Sequence, residues 1–289
     1  MVAGVAVVVL VYAAVVLLYA SSGRVVSIGE DPTPDPHGVT VFLSPQAVNA
    51  TGESITMQLT LYPSHEVQGT DSISLDEPLS VIVSPVQGNQ SIDFAKDSIP
   101  GTHTVTLFAP GAVEQWPFDA YRSDLVVIAY TTVDGVATPI PTKAYLSGYL
   151  PGWSLSGAVL PSEETITTAA GEKKVPIIEV TASRSGSTVA FGIVLLGLMV
   201  VMPVLVLFVA ITAFRGRRKV EASFMSWMGA MLFATIPLRT FLPGSPPIGS
   251  WIDFLIVLWV IVGLVSGLVV YVAAWMRWGS PSAPPPPPS

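Results

Sequence analysis

Val189-Ala-Phe-Gly-Ile-Val-Leu-Leu-Gly-Leu-Met-Val-Val-Met-Pro-Val-Leu-Val-Leu-Phe-Val-Ala-Ile-Thr-Ala-Phe214 runs without one charged residue. At 1.5 Å rise per residue such a run exceeds the roughly 20 residues needed to cross a bilayer. Two similar runs follow, Ser223 to Leu242 and Trp251 to Trp275, and each carries a single charge, Arg239 and Asp253. A basic loop and a Pro/Gly loop separate the three. The block 187–278 therefore reads as three membrane helices, and the rest of the chain is organised around it.

Working outward, residues 2 to 20 form another uninterrupted apolar run, followed by Ser21, Ser22, Gly23 and Arg24. A signal peptide has a basic leader and a shorter core of about 7–15 residues. This core is longer and no Lys or Arg precedes it, so residues 1–23 are expected to form a retained signal anchor. Loops rich in Lys and Arg stay in the cytoplasm. Arg215, Arg217, Arg218 and Lys219, directly after the first run of the block, thus place residues 24–186 outside the plasma membrane and both termini inside. Arg277 fits the same assignment, and Trp227, Trp251, Trp259, Trp275 and Trp278 suit interfacial anchors.

Composition agrees. The chain of 289 residues is 51% hydrophobic and only 11% charged, where a soluble domain runs near about 25% charged. Its net charge of −7 is segregated: residues 25–186 hold 18 acidic and 6 basic side chains. So acidic a segment excludes nucleic acid as an expected partner, because phosphate binding needs the opposite sign. There is no cysteine, which removes disulfides, thiol catalysis and Cys-ligated metal sites.

Segment 24–186 opens on Pro32, Pro34 and Pro36, a stiff linker. Short β-like stretches follow at Val39–Leu43, Ser54–Leu61, Leu79–Val83, Thr102–Phe108, Asp124–Thr131 and Val175–Val180. In Ile55-Thr-Met-Gln-Leu-Thr-Leu61 every second residue is apolar, the period of a half-buried strand. Turn signals at Gly52, Pro63, Glu77-Pro78, Gly88-Asn89, Pro100-Gly101, Pro110-Gly111, Asp134-Gly135 and Pro151-Gly152 separate them. Regular short strands without a helical period indicate an antiparallel sandwich or barrel, and one β-sandwich domain is expected. The tail 279–289, ending in a polyproline run, is expected to be a disordered cytoplasmic segment.

Two constellations stand out. Arg239 near the end of one helix and Asp253 near the start of the next flank the short loop Pro243-Gly-Ser-Pro-Pro-Ile-Gly-Ser250, so they are expected to pair across the hairpin. An isolated charge deep in a bilayer costs about 2.5–3.5 kcal/mol even on lenient scales. The pair serves packing on one reading and lines a pore or substrate path on the other. In Trp116-Pro117-Phe118-Asp119-Ala-Tyr121, proline starts a turn and Trp116, Phe118 and Tyr121 are expected to anchor the outer domain's core around that corner. Catalytic signatures are missing: the sequence has no HExxH, GxSxG, P-loop or strand-following GxGxxG motif. His37, His65 and His103 are scattered. Asp71, Asp76, Glu77, Asp93 and Asp97 read as solvated acids without EF-hand spacing. The expectation is a non-enzymatic chain with no metal and no cofactor.

Trp116-Pro-Phe-Asp-Ala-Tyr-Arg122, together with Leu238-Arg-Thr-Phe-Leu-Pro-Gly-Ser-Pro-Pro-Ile-Gly249 and Asp253, resembles the bacterial membrane proteins of domain-of-unknown-function family 4436. The resemblance runs over about residues 5 to 275. It implies one N-terminal helix, an outer β domain and three further helices. It marks Arg239, Pro246, Pro247, Gly249 and Asp253 as motif positions without giving them roles, and it implies no activity. A weaker likeness links Trp116–Asp119 to the Phe-Pro-Phe-Asp-type loop of pentameric ligand-gated channels, though three helices rather than four follow the β domain here. The first expectation is a multi-pass envelope protein whose outer domain binds or supports another envelope protein. The alternative is a channel or transporter subunit with a β-sandwich sensor.

Overall fold

The computed structural model describes residues 2–21, 25–29, 33, 35–69, 73–133, 136–163, 165–168 and 171–278. Ser22–Arg24, Pro32, Pro34, Asp71, the Asp134-Gly135 turn and the tail 279–289 lie outside the described residues.

Helix α1 (Val2–Ser21) precedes thirteen described strands. These are β1 (Val26–Gly29), β2 (Val39–Asn49), β3 (Ser54–Pro63), β4 (Leu79–Ser84), β5 (Ser91–Phe94), β6 (His103–Phe108) and β7 (Ala120–Val133), then β8 (Val136–Ile140), β9 (Thr142–Gly148), β10 (Trp153–Leu160), β11 (Thr165–Thr168), β12 (Gly171–Lys174) and β13 (Ile177–Arg184). Helices α2 (Gly186–Phe214) and α3 (Ser223–Thr240) follow. A π-helical turn at Asp253–Val257 then leads into α4 (Leu258–Trp278). Two compact units result, one of Met1–Val113 with Pro117–Val189 and one of Glu114–Trp116 with Ala190–Ser289.

In the β unit one sheet has the order β1-β9-β2-β3-β6 and the other β10-β13-β7-β4-β5, while β11 and β12 form a separate hairpin. Long β7 gives one edge to β13 over Ala120–Val126 and then to β8 over Ala129–Val133. Among the described strands every pairing is antiparallel except β2 with β9, where Val39–Leu43 run parallel to Thr142–Leu146. The all-antiparallel expectation is corrected there. The cause is the link from β8 in one sheet to β9 in the other through Pro141. Its carbonyl accepts from the Val39 N–H at 2.8 Å, so β9 starts beside the beginning of β2 and must run the same way.

Period-two patterning decides which side chains go inside. β4 and β13 alternate buried and half-buried residues along their length. Val41, Leu43, Ile55 and Leu59 of the first sheet enter one apolar cluster with Val81, Leu125, Val127 and Val180 of the second. In β2 the register slips between Pro45 and Ala47. Proline has no N–H for the ladder, so a bulge at that position costs little.

In the helical unit, α2 and α4 (with its leading turn) are long and apolar enough to cross a membrane, at 29 and 26 residues. Helix α3 is shorter, 18 residues, and packs against α4. Both α2 and α3 run through their prolines, Pro203 and Pro237, as single helices. Pro203 packs where α4 has no side chain: a Cβ on Gly263 would lie 2.8 Å from the Pro203 Cβ, and one on Gly267 would lie 2.5 Å from the Val206 Cγ1. Gly263-Leu-Val-Ser-Gly267 is thus a small-xxx-small face that lets two helices approach closely. Gly267→Val is expected to force α2 and α4 apart at a cost of about 1–3 kcal/mol. A control is Gly197→Val on α2, where an added Cβ meets nothing within 4 Å. Melting of the detergent-solubilised chain should fall for the first variant and barely move for the second. Equal midpoints would refute the close-packing role.

Candidate functional site

The Arg239–Asp253 pair forms. Arg239 donates from Nε to Asp253 Oδ1 at 3.1 Å and from Nη2 to Oδ2 at 2.9 Å. The remaining face of the guanidinium donates to the carbonyls of Pro246 at 2.9 Å and Pro247 at 3.1 Å. Asp253 in turn accepts the Gly249 N–H at 2.8 Å. Gly249 has φ +97°, a left-handed backbone that glycine takes without strain. Side-chain exposure is 15% for Arg239 and 17% for Asp253. Prolines leave the loop short of N–H donors, so its carbonyls need partners from elsewhere. The guanidinium fork supplies them. All five motif positions, Arg239, Pro246, Pro247, Gly249 and Asp253, therefore meet in one hydrogen-bonded clamp.

The second constellation divides. Trp116 belongs to the helical unit, where it is buried in the apolar cluster with Leu196 and Leu242. Its indole N–H donates to the Pro243 carbonyl at 2.9 Å. Phe118 is 74% exposed and only Tyr121 joins the β core. The expectation that Trp116, Phe118 and Tyr121 jointly anchor that core is corrected. The turn at Trp116-Pro117 sends the three rings to different surroundings, and the residue that enters the β unit's interior beside Tyr121 is the polar Asp119.

Asp119 accepts from Arg184 Nε at 3.0 Å and Nη2 at 2.9 Å, and from the Tyr121 hydroxyl at 2.9 Å. Side-chain exposure is 0% for the aspartate and 4% for the arginine. The Arg184 guanidinium lies 4.2 Å from the centre of the Trp153 ring, a cation–π arrangement. Tyr121 meets Trp153 edge-on at 5.7 Å. Burial, helped by the hydrogen bond to Asp119, pushes the Tyr121 hydroxyl pKa well above its ordinary value, so Tyr121 stays a neutral donor. Sequence reasoning found Asp119 and Tyr121 but missed Arg184. The strand expected at Val175–Val180 stops short of it, and only the continued period-two rhythm of β13 marks its side chain as inward.

Of the acids read as solvated, Asp93 accepts from Ser80 at 2.6 Å and Ser91 at 2.8 Å, which lowers its pKa. No group of three or more His, Asp or Glu side chains among the described residues is arranged to hold a metal ion. His37 pairs with Glu66 at 2.8 Å beside a cavity of about 350 Å³ in the β unit.

Fold and clusters together define a class: a protein with a sheet-rich unit and a separate unit of apolar helices, each braced by an internally satisfied ion pair. Residues 29–176, just over half of the chain, match the domain of unknown function DUF4436, and the chain belongs to that family. Residues 184–278 match a second domain of unknown function, DUF8686. The likeness extending to about residue 275 is thus shared between two families, and the Pro/Gly hairpin falls in the second. No curated protein matches the chain.

Proposed function

We propose that the chain is a multi-pass plasma-membrane protein whose β unit, a β-sandwich outside the cell, binds or braces another envelope component. The observation that carries the reading is the outer surface of the helical unit. Ile193, Val204, Leu205 and Phe208 of α2 and Val262, Val265 and Val269 of α4 are exposed large hydrophobics. Apolar surface of that extent is unfavourable in water and is satisfied by lipid chains. Helix α3 then completes a hairpin with α4, and α1 is a fourth crossing. The basic loop after α2 sets the orientation.

The clamp favours a brace over a conduit. Arg239 makes four hydrogen bonds, two to Asp253 and two to carbonyls, and the Asp253 carboxylate offsets its charge. In the β unit Asp119 and Arg184 satisfy each other in the same way, which supports a non-enzymatic role. The full-length chain extracted in mild detergent is expected to run as a monomer or dimer in complex with a distinct envelope protein. A closed homo-oligomeric ring that conducts ions in planar bilayers would sink this reading in favour of a channel.

A further inference from the structure

Helix α2 ends in a Schellman turn. Gly216, at φ +67°, donates its N–H to the Ala213 carbonyl at 2.9 Å, and the Arg217 N–H donates to the Thr212 carbonyl at 3.2 Å. That pair of hydrogen bonds closes the helix end. The following residues are cations, Arg217, Arg218 and Lys219, and all three are exposed. Among the described residues none of the three forms an ion pair. The three cations line a cavity of about 790 Å³ whose other lining residues include the apolar Phe208, Val209 and Phe224.

The loop is held over this cavity by α4. The Tyr271 hydroxyl is buried in the helical unit, accepts from the Glu221 N–H at 3.0 Å and donates to the Glu221 carbonyl at 2.9 Å. Glu221 also lines the cavity, so the lining holds three cationic residues and one acidic one. A loop that merely set orientation needs its charges but no cavity under them. Here cationic and apolar residues line one cavity, at one end of a helix long enough to cross a membrane.

We propose that this cavity binds one anionic phospholipid. Its phosphate meets Arg217, Arg218 and Lys219, and the start of an acyl chain lies along Phe208, Val209 and Phe224. Guanidinium groups suit phosphate because they donate in a fixed fork, and basic pockets between helices on the cytoplasmic side recognise anionic head groups. The proposal rests on the membrane reading given above.

The test uses the full-length chain, with native mass spectrometry of the detergent-solubilised protein titrated with phosphatidylglycerol or phosphatidylcholine. The expected result is one phosphatidylglycerol bound at least about tenfold more tightly than phosphatidylcholine, a preference lost in the combined variant Arg217→Gln, Arg218→Gln, Lys219→Gln. Exchanging both arginines for lysine keeps the charge and should keep most of the preference, which guards against a loop that has simply misfolded. Equal binding of the two lipids, or a preference that survives the triple variant, overturns the proposal. So does millimolar inorganic phosphate displacing the lipid completely, since the site would then be for a free anion. Resistance of the same variants to alkaline carbonate extraction separates the two claims: extraction of the unaltered chain defeats the membrane reading, whereas loss of lipid preference in a carbonate-resistant chain defeats only the pocket.

Discussion

Arg184→Ala is expected to destabilise the β unit by about 3–5 kcal/mol, because it leaves the Asp119 carboxyl buried without its cation and without the two Arg184 N–H donors. Asp119 has no exposed surface in its side chain, so water cannot replace the lost partner. Tyr121 offers one hydrogen bond, which is too little to solvate a carboxylate. The variant also removes the cation from the Trp153 face and opens space beside Tyr121. At about 2–4 °C per kcal/mol for a unit of this size, the thermal midpoint should drop by roughly 10 °C. Near-UV circular dichroism of the full-length chain reports it, since Trp153 and Tyr121 both touch the pair. The energetics of buried ion pairs supply a second arm. Asp119→Leu, Tyr121→Phe and Arg184→Met introduced together leave no orphaned polar group and should recover much of the loss. A single Arg184→Ala variant that melts with the unaltered chain would show that Asp119 finds water after all.

Arg239→Leu is expected to cost a comparable amount, about 3 kcal/mol or more, in the helical unit. The variant strands one carboxylate and two proline carbonyls together. Asp253→Asn in the Arg239→Leu background is therefore a partial rescue: it discharges the carboxylate, but the Pro246 and Pro247 carbonyls still lack their donors. Double-mutant analysis of melting midpoints separates the two contributions. Complete rescue would mean the carbonyl contacts add nothing. Full stability of Arg239→Leu alone would contradict the clamp.

Six strands were legible because their apolar residues alternate in runs of Val, Ile, Thr and Leu. The others are quiet for identifiable reasons. β10 buries little besides Leu155 along its length, so it carries Ser154, Ser156 and Gly157 with no apolar rhythm. β9 alternates correctly, but one of its inward positions is the small Ala144 and its outward ones include Lys143 and Ser147. The hairpin of β11 and β12 is a two-stranded sheet of its own, so no periodicity was there to read.

The two ion pairs differ in the same way. Arg239 and Asp253 lie 14 positions apart across a loop too short to separate them, which makes their meeting a local matter. Asp119 and Arg184 lie 65 positions apart and meet because β13 pairs with the first half of β7. That register is a property of the assembled sheet, and no local pattern encodes it. Sequence reasoning missed the Gly263–Gly267 spacing, although small residues four apart on an apolar helix mark close helix contact.

The proposed topology sets the β unit and the loop after α2 on opposite sides of a membrane, and the absence of cysteine from the chain makes it directly measurable. Single cysteines at Asn89 in the β unit and Ala222 in the loop, both exposed positions, are labelled on intact cells with a membrane-impermeant maleimide. The account predicts that Asn89→Cys reacts from outside, whereas Ala222→Cys reacts only after the cells are permeabilised. Labelling of both positions from the same side would contradict it.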